Sequence, residues 1–307
     1  MPNYTRRWED PIFKGLTCLF ASVVLALTVF IAFSLVLYSL PSIYKFGWSF
    51  FTGTDWDPVL NQFGALPFLY GTVVTSAIAL LIAVPIGLGS SIFLSELAPS
   101  WLSQPIAYLV DLLAAIPSVL YGIVGLFVLV PLMQEMIEPA LSDTLGFIPF
   151  FQGTPYGVGM LTAGMVLSLM ILPFIISVSR EVMLSVPAIQ KEAILSLGAT
   201  RWEMLSKVVF PFSRSGIIGS VFLALARALG ETMAVTMVIG NRPDIRLSLL
   251  SPGHTMAAVI ANEFSEATSD LYVAVLIEIG LVLFFVLLLV NAIAHLLISS
   301  TKTSTKK

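Results

Sequence analysis

Charge is what this sequence has least of. Only 11% of its 307 residues are Asp, Glu, Lys or Arg, under half of the roughly 25% found in a soluble domain. So little polar surface cannot wet a water-soluble protein of this size, and lipid has to solvate part of it. The net charge of −3 gives nucleic acid nothing to bind. The single cysteine, Cys18, lies in an apolar run, which excludes an intramolecular disulfide and a thiolate metal cluster; it reads as a packing residue. The two histidines, His254 and His295, are far apart and have no ligand partners at metal spacing. No Gly-x-x-x-x-Gly-Lys-Ser/Thr loop occurs. The chain therefore has no catalytic ATP site of that kind, and ATP-driven work would need a borrowed engine.

Apolar sequence is what the chain has in excess, at 57% hydrophobic residues and a mean hydropathy of +0.97. Crossing the hydrocarbon core takes about 20 apolar residues as a helix. Six segments reach that length: 16–40, 66–97, 105–133, 158–178, 212–239 and 271–298. Stretches holding Pro, Gly, Asn, Asp and Ser separate them, and these residues end helices. The first run is too long for a signal-peptide core and ends in Leu40-Pro41-Ser42, without a small-residue cleavage pattern. It reads as a retained membrane helix. The expected organisation is a short terminus at 1–15, a first span at 16–40, a loop at 41–65, a five-helix core at 66–298 and a disordered tail at 299–307. The expected fold class is all-α and polytopic, with six transmembrane helices.

Lysine and arginine set the orientation. With six spans both termini share a side. Eleven of the fifteen basic residues fall on that side: Arg6, Arg7, Lys14, Arg180, Lys191, Arg201, Lys207, Arg214, Lys302, Lys306 and Lys307. Lys45, Arg242 and Arg246 fall on the other, and Arg227 lies within a span. The bias places both termini in the cytoplasm. The opposite loops carry Glu135, Glu138, Asp143, Asp244, Glu263, Glu266 and Asp270, which suit either a solvated rim or a docking surface for an external partner.

The segment from Arg180 to Pro211 holds more charge than any other. Pro187 suits a first helical turn, because the N–H it lacks would be unpaired anyway. Ile189, Ala193, Ile194 and Leu197 follow at helical spacing, opposite Gln190, Lys191 and Glu192. Gly198 can adopt the left-handed conformation that stops this helix. Thr200 with Glu203 forms a capping box that starts a second helix, whose apolar face is Trp202, Leu205 and Val209. Pro211 reads as a turn into the fifth span. The result at 187–211 is a helix–glycine–helix knuckle shaped to enter a groove on another protein. An amphipathic loop lying on lipid is the alternative.

This segment resembles the EAA motif of binding-protein-dependent ABC importer permeases. Glu192, Ala193, Gly198 and Pro211 match the motif at its spacing; Ile194, Val208 and Phe210 depart from it but stay apolar. The resemblance implies that the segment docks on cytoplasmic ATPase subunits, through Glu192, Ala193, Gly198, Ala199 and Trp202. It also implies a MetI-like type I importer bundle.

In the fifth span, Arg227 and Glu231 lie near the middle. A charge at that depth costs about 2.5–3.5 kcal/mol on insertion scales. On one helix, positions four apart share a face and neutralise each other, and that face must look inward. The pair suits either a structural lock or the lining of a solute path. The planar donors of arginine match a phosphate oxyanion. The run from Ala226 to Val235, with Ile239-Gly240-Asn241, is similar to the PstC-type permeases of phosphate importers. So are the run from Leu113 to Gly122, Glu96-Leu97-Ala98-Pro99, and Ala261-Asn262-Glu263-Phe264. The likeness covers nearly the whole of 41–295. It implies phosphate passage past Arg227 and Glu231, a sister permease, two copies of an ATPase subunit that bind ATP and Mg, and a periplasmic phosphate-binding protein. Sulfate or molybdate as the anion, a self-sufficient secondary transporter, and a scaffold without transport are the other readings.

Glu278, about a third of the way into the sixth span, can line the path or pair with Arg227. Asp111 suits a snorkelling or capping role. Pro85, Pro117 and Pro173 fall inside expected spans, as hinges or as static kinks. Gly122 and Gly125 permit close helix contact.

Overall fold

The computed structural model describes residues 9–304; Arg6, Arg7, Lys306 and Lys307 of the charge tally lie outside them. Among the described residues six helices are long and apolar enough to cross a membrane: Pro11–Phe46, Leu66–Leu97, Ser118–Leu145, Met160–Leu184, Arg201–Leu229 and Asp270–Ser300. They are taken as spans one to six. The chain is the all-α polytopic bundle that its apolar runs predict.

Span four is the centre. In its most apolar window 61% of residues are buried, against none in that of span one. Val166, Leu167, Met170, Ile171 and Ile175 of span four pack on Ala79 and Ala83 of span two and on Ala224 and Ala228 of span five. Lipid tails are as apolar as leucine, so small residues and close packing hold such helices together. Gly87 and Gly164 permit this approach: a Cβ at either would come within 2.8 Å of Ile175 and 2.5 Å of Ile78 respectively. Span one leans on span six along part of its length.

The expected loop at 41–65 is ordered. Span one runs through Pro41 to Phe46, a helical turn follows at Ser49–Thr52, and Trp56–Asp57 pairs antiparallel with Gln62–Phe63. The rings of Trp56, Phe63, Phe68 and Tyr272 hold this hairpin on the bundle. The carboxylate of Glu263 accepts from Trp56 Nε1 at 2.9 Å and from the Tyr272 hydroxyl. At the other end, the expected disordered tail continues span six as helix to Ser304.

Two spans differ from their expected form. The helix begun at Ser100 stops at Ala114, and Pro117 then caps a new helix that begins at Ser118. Pro85 and Pro173 sit inside unbroken helices; Pro117 alone of the three marks a break. Contacts with span four give the depth. Ser177 donates to Asp111 at 2.6 Å, Gly125 abuts Val166, and Gly157 abuts Val130. Residues 111–130 therefore run antiparallel to 159–177, and the break at 115–117 falls near mid-depth.

Span five also breaks. It is continuous from Arg201 through Pro211, absorbing the proline behind a π-turn at Leu205–Val209. No turn separates the knuckle from the span. The helix ends at Leu229, not at 239. Ser179 and Ser220 hydroxyls meet at 2.9 Å. Arg227, seven residues beyond Ser220, thus lies about 10 Å further along at 1.5 Å per residue, again near the middle of span four. A short helix, Met233–Thr236, follows, and Val238 O accepts from Gly159 N at 3.0 Å beside the start of span four.

Candidate functional site

The two breaks adjoin. A Cβ at Gly122 would come within 2.7 Å of Met237 Sδ and 2.9 Å of the Ala234 Cα, so the helix after the first break lies directly on the helix after the second. This close approach is what glycine at 122 permits. Tyr121, one residue earlier, donates its hydroxyl to Leu113 O at 2.8 Å. The phenol thereby adds a second donor to a carbonyl that already accepts from Ile116 N at 3.2 Å, and ties the new helix to the end of the preceding one. Arg227 is near enough to act electrostatically on that phenol.

Arg227 and Glu231 do not form the predicted pair on one helical face. Gly230 ends the helix between them. Each charge is instead met by a helix end. Arg227 lies in the last turn of span five, where carbonyls point outward and a cation is favoured. Glu231 Oε1 accepts from Ala234 N at 3.2 Å, capping the first turn of Met233–Thr236. Glu231 is half-buried, while Arg227 is exposed on the surface of the single chain. Among the described residues the ion pairs are Lys191–Glu96, Lys207–Glu203 and Arg246–Asp244.

Glu278 lies elsewhere. It is buried beside Ser42, between spans six and one, and forms no ion pair with Arg227. Its Oε2 and the Ser42 hydroxyl are both buried without a hydrogen-bond partner among the described residues. Asp111 accepts from Ser177 and so joins the segment before the first break to span four.

The knuckle has the predicted parts. A helix spans Ala188–Ser196 after Pro187. Gly198 follows at φ +84°, a left-handed conformation that costs a side-chain-bearing residue about 1–2 kcal/mol. Thr200 and Glu203 make both bonds of the capping box: Glu203 N donates to Thr200 Oγ1 at 3.2 Å, and Thr200 N donates to Glu203 Oε2 at 3.0 Å. One face is seated, with Met204, Leu205 and Val209 packed on Met183 and Val186. The other is open. Ile189 is 79% exposed, Leu197 87% and Trp202 68%; Glu192, Ala193 and Gly198 are exposed and Ala199 is half-buried.

Two contacts had no place among the expectations. Lys191 Nζ lies 2.6 Å from Glu96 Oε1, across ninety-five residues of sequence that give no local signal. Tyr121 lies in the resembling run of span three, and no local pattern in the sequence marks its bond to Leu113 O.

Residues 83–302 match the family of binding-protein-dependent transport system inner membrane components. The chain is 49% identical to the phosphate transport system permease protein PstC of Haemophilus influenzae over 308 residues, covering 99% of this chain and 98% of the relative. It is 50% identical to the PstC of Mesorhizobium japonicum over 290 residues, 93% of this chain and 89% of that one. In fold it is similar to a chain of the inward-facing MetNI methionine ABC transporter, at 16% identity and a TM-score of 0.55, over 80% of this chain and 99% of the other. The MetI-like bundle expected from the EAA resemblance is the one observed. The chain thus belongs to the binding-protein-dependent transport system inner membrane components, as a multi-pass relative of the PstC permeases.

Proposed function

We propose that this chain is the membrane permease subunit of an ATP-driven phosphate importer and forms half of its translocation path. The observation that carries the reading is Arg227. It stands exposed where span five breaks at mid-depth. An arginine facing lipid there would cost about 2.5–3.5 kcal/mol or more. Its surface therefore belongs against a second permease chain or a water-filled path, and a sister permease supplies both. Arginine's fixed donors suit a tetrahedral oxyanion, and the names of the relatives supply which one. Glu231 takes part by holding the turn that presents Arg227. Glu278, buried beside Ser42 without a hydrogen-bond partner for its Oε2, forms no ion pair with Arg227 and takes no part in this reading.

The open face of Ile189, Leu197 and Trp202, with Glu192 beside it, fits a groove on an ATPase subunit. Two such subunits, binding ATP and Mg, would drive the importer, and a periplasmic phosphate-binding protein would deliver the anion on the opposite side. Both termini and the knuckle are cytoplasmic in this reading, as the lysine and arginine bias indicates. The test is uptake of labelled phosphate by the complex reconstituted in vesicles, with ATP inside and sulfate as competitor. Uptake by the unmodified complex, insensitive to sulfate, is expected, with loss of uptake in an Arg227→Gln complex that still assembles. Normal uptake by that variant would refute the role of Arg227, and competition by sulfate would reassign the anion.

A further inference from the structure

The helix Ala188–Ser196 is joined to the bundle at both ends by turns, Pro187 on one side and Gly198 on the other. Turns transmit little rotation, and between them Ile194 packs on the cluster of Met183, Val186 and Met204, an apolar contact without directional bonds that can slide when the helix is pushed. A polar tie is added to these. Lys191, on the inward face of this helix, lies 2.6 Å from Glu96. Glu96 stands in the π-turn Phe93–Leu97 that ends span two. The same ammonium lies 3.4 Å from Met183 O in the last turn of span four, where a cation is favoured.

This pair differs in kind from the others. The Lys191 and Glu96 side chains are 16% and 6% exposed, against 63% and 39% for Lys207 and Glu203 and 57% and 45% for Arg246 and Asp244. Exposed pairs are screened and weak, whereas a shielded pair cannot lose one partner without stranding the other charge. Glu192, the next residue, is exposed on the outer face. Neighbouring positions thus divide the work, one free for a partner and one fastened to the bundle.

We propose that Lys191 is a positioning residue for transport: by bridging Glu96 of span two and the last turn of span four, it makes those spans follow the coupling helix. The proposal rests on the functional reading above. Without the bridge, motion entering at the knuckle would reach span five through the backbone while span two lags.

The experiment uses the assembled complex in vesicles and reads phosphate imported per ATP hydrolysed. In Lys191→Met the ATPase subunit should still co-purify, and the ratio should fall about fivefold or more, the lower end of typical coupling between sites. Glu96→Gln should behave alike. The exchanged pair Lys191→Glu with Glu96→Lys should restore the ratio to near the unmodified value, which a general loss of packing would not permit. An unchanged ratio in both single variants overturns the proposal. If the single variants do not assemble, the exchanged pair decides: assembly with a normal ratio supports the bridge, and failure or a low ratio overturns it. Absence of ATP-driven uptake by the unmodified complex would overturn the functional reading itself, a result distinct from either.

Discussion

His254 is buried on the side opposite the knuckle, edge-on to Phe68 at 5.3 Å between ring centres. Its carbonyl oxygen presses on Gly71, where an added Cβ would lie 2.0 Å away. Next to it, Met256 N donates to Thr72 Oγ1 at 3.0 Å. Burial pushes the imidazole down from its ordinary 6.5 to about 4. Between those values the opened loop takes up a proton that the closed loop refuses. The closed form is therefore fully favoured above the unfolded value and loses ground as pH falls toward 4, with a slope of at most about tenfold in opening per pH unit. The protection of the backbone amides around 250–256 in detergent, corrected for the intrinsic pH dependence of hydrogen exchange, should fall from pH 7 to pH 5. In His254→Gln that pH dependence should flatten; an equal slope in both would place the sensitivity on another group. Arg227 and Glu231 follow a similar rule of local compensation, each served by a helix end and not by the other.

At the level of elements, the knuckle is the best-determined part because its signals are local. Pro187, Gly198 and the Thr200–Glu203 box each act within four residues, and all were readable from the chain. Gly198 at φ +84° has no neighbour within reach of an added Cβ, so a substitution there acts through the backbone alone. Proline, fixed near −65°, cannot adopt this angle. Gly198→Pro should leave the six spans intact yet lower phosphate import per ATP hydrolysed by about tenfold, since one backbone strain of about 1–3 kcal/mol is enough to shift the knuckle. An unchanged ratio in the vesicle assay would count against the knuckle as the transmitting element. The two mid-depth breaks were harder to read. Residues 105–133 and 212–239 are continuous in hydropathy, and hydropathy does not register a helix that stops inside the apolar layer. Pro117 and Gly230 are ordinary residues of membrane helices, so neither announces a break on its own. The Glu96–Lys191 bridge was beyond any local pattern for the same reason: it exists only once spans two and four are side by side.

For the whole molecule, the sidedness proposed from lysine and arginine has a direct check. With Cys18 replaced, a cysteine at Ile189, 79% exposed, and one at Phe147, 78% exposed, stand at opposite ends of the bundle. In intact cells a membrane-impermeant thiol reagent should label the Phe147→Cys chain and spare Ile189→Cys; the reverse pattern would invert the topology and detach the knuckle from any cytoplasmic motor. The global count of spans was legible because each run must match the bilayer. What hydropathy did not disclose is that the second knuckle helix and the fifth span are a single rod from Arg201 to Leu229. Its length is about 40 Å at the standard helical rise. Pro211 adds no joint, so Trp202 and Arg227 ride on opposite arms of one beam. A tilt of a few degrees imposed at the Trp202 end swings the guanidinium sideways by roughly 1–2 Å on an arm of about 20 Å, enough to make or break a hydrogen bond, with no relay of side chains in between.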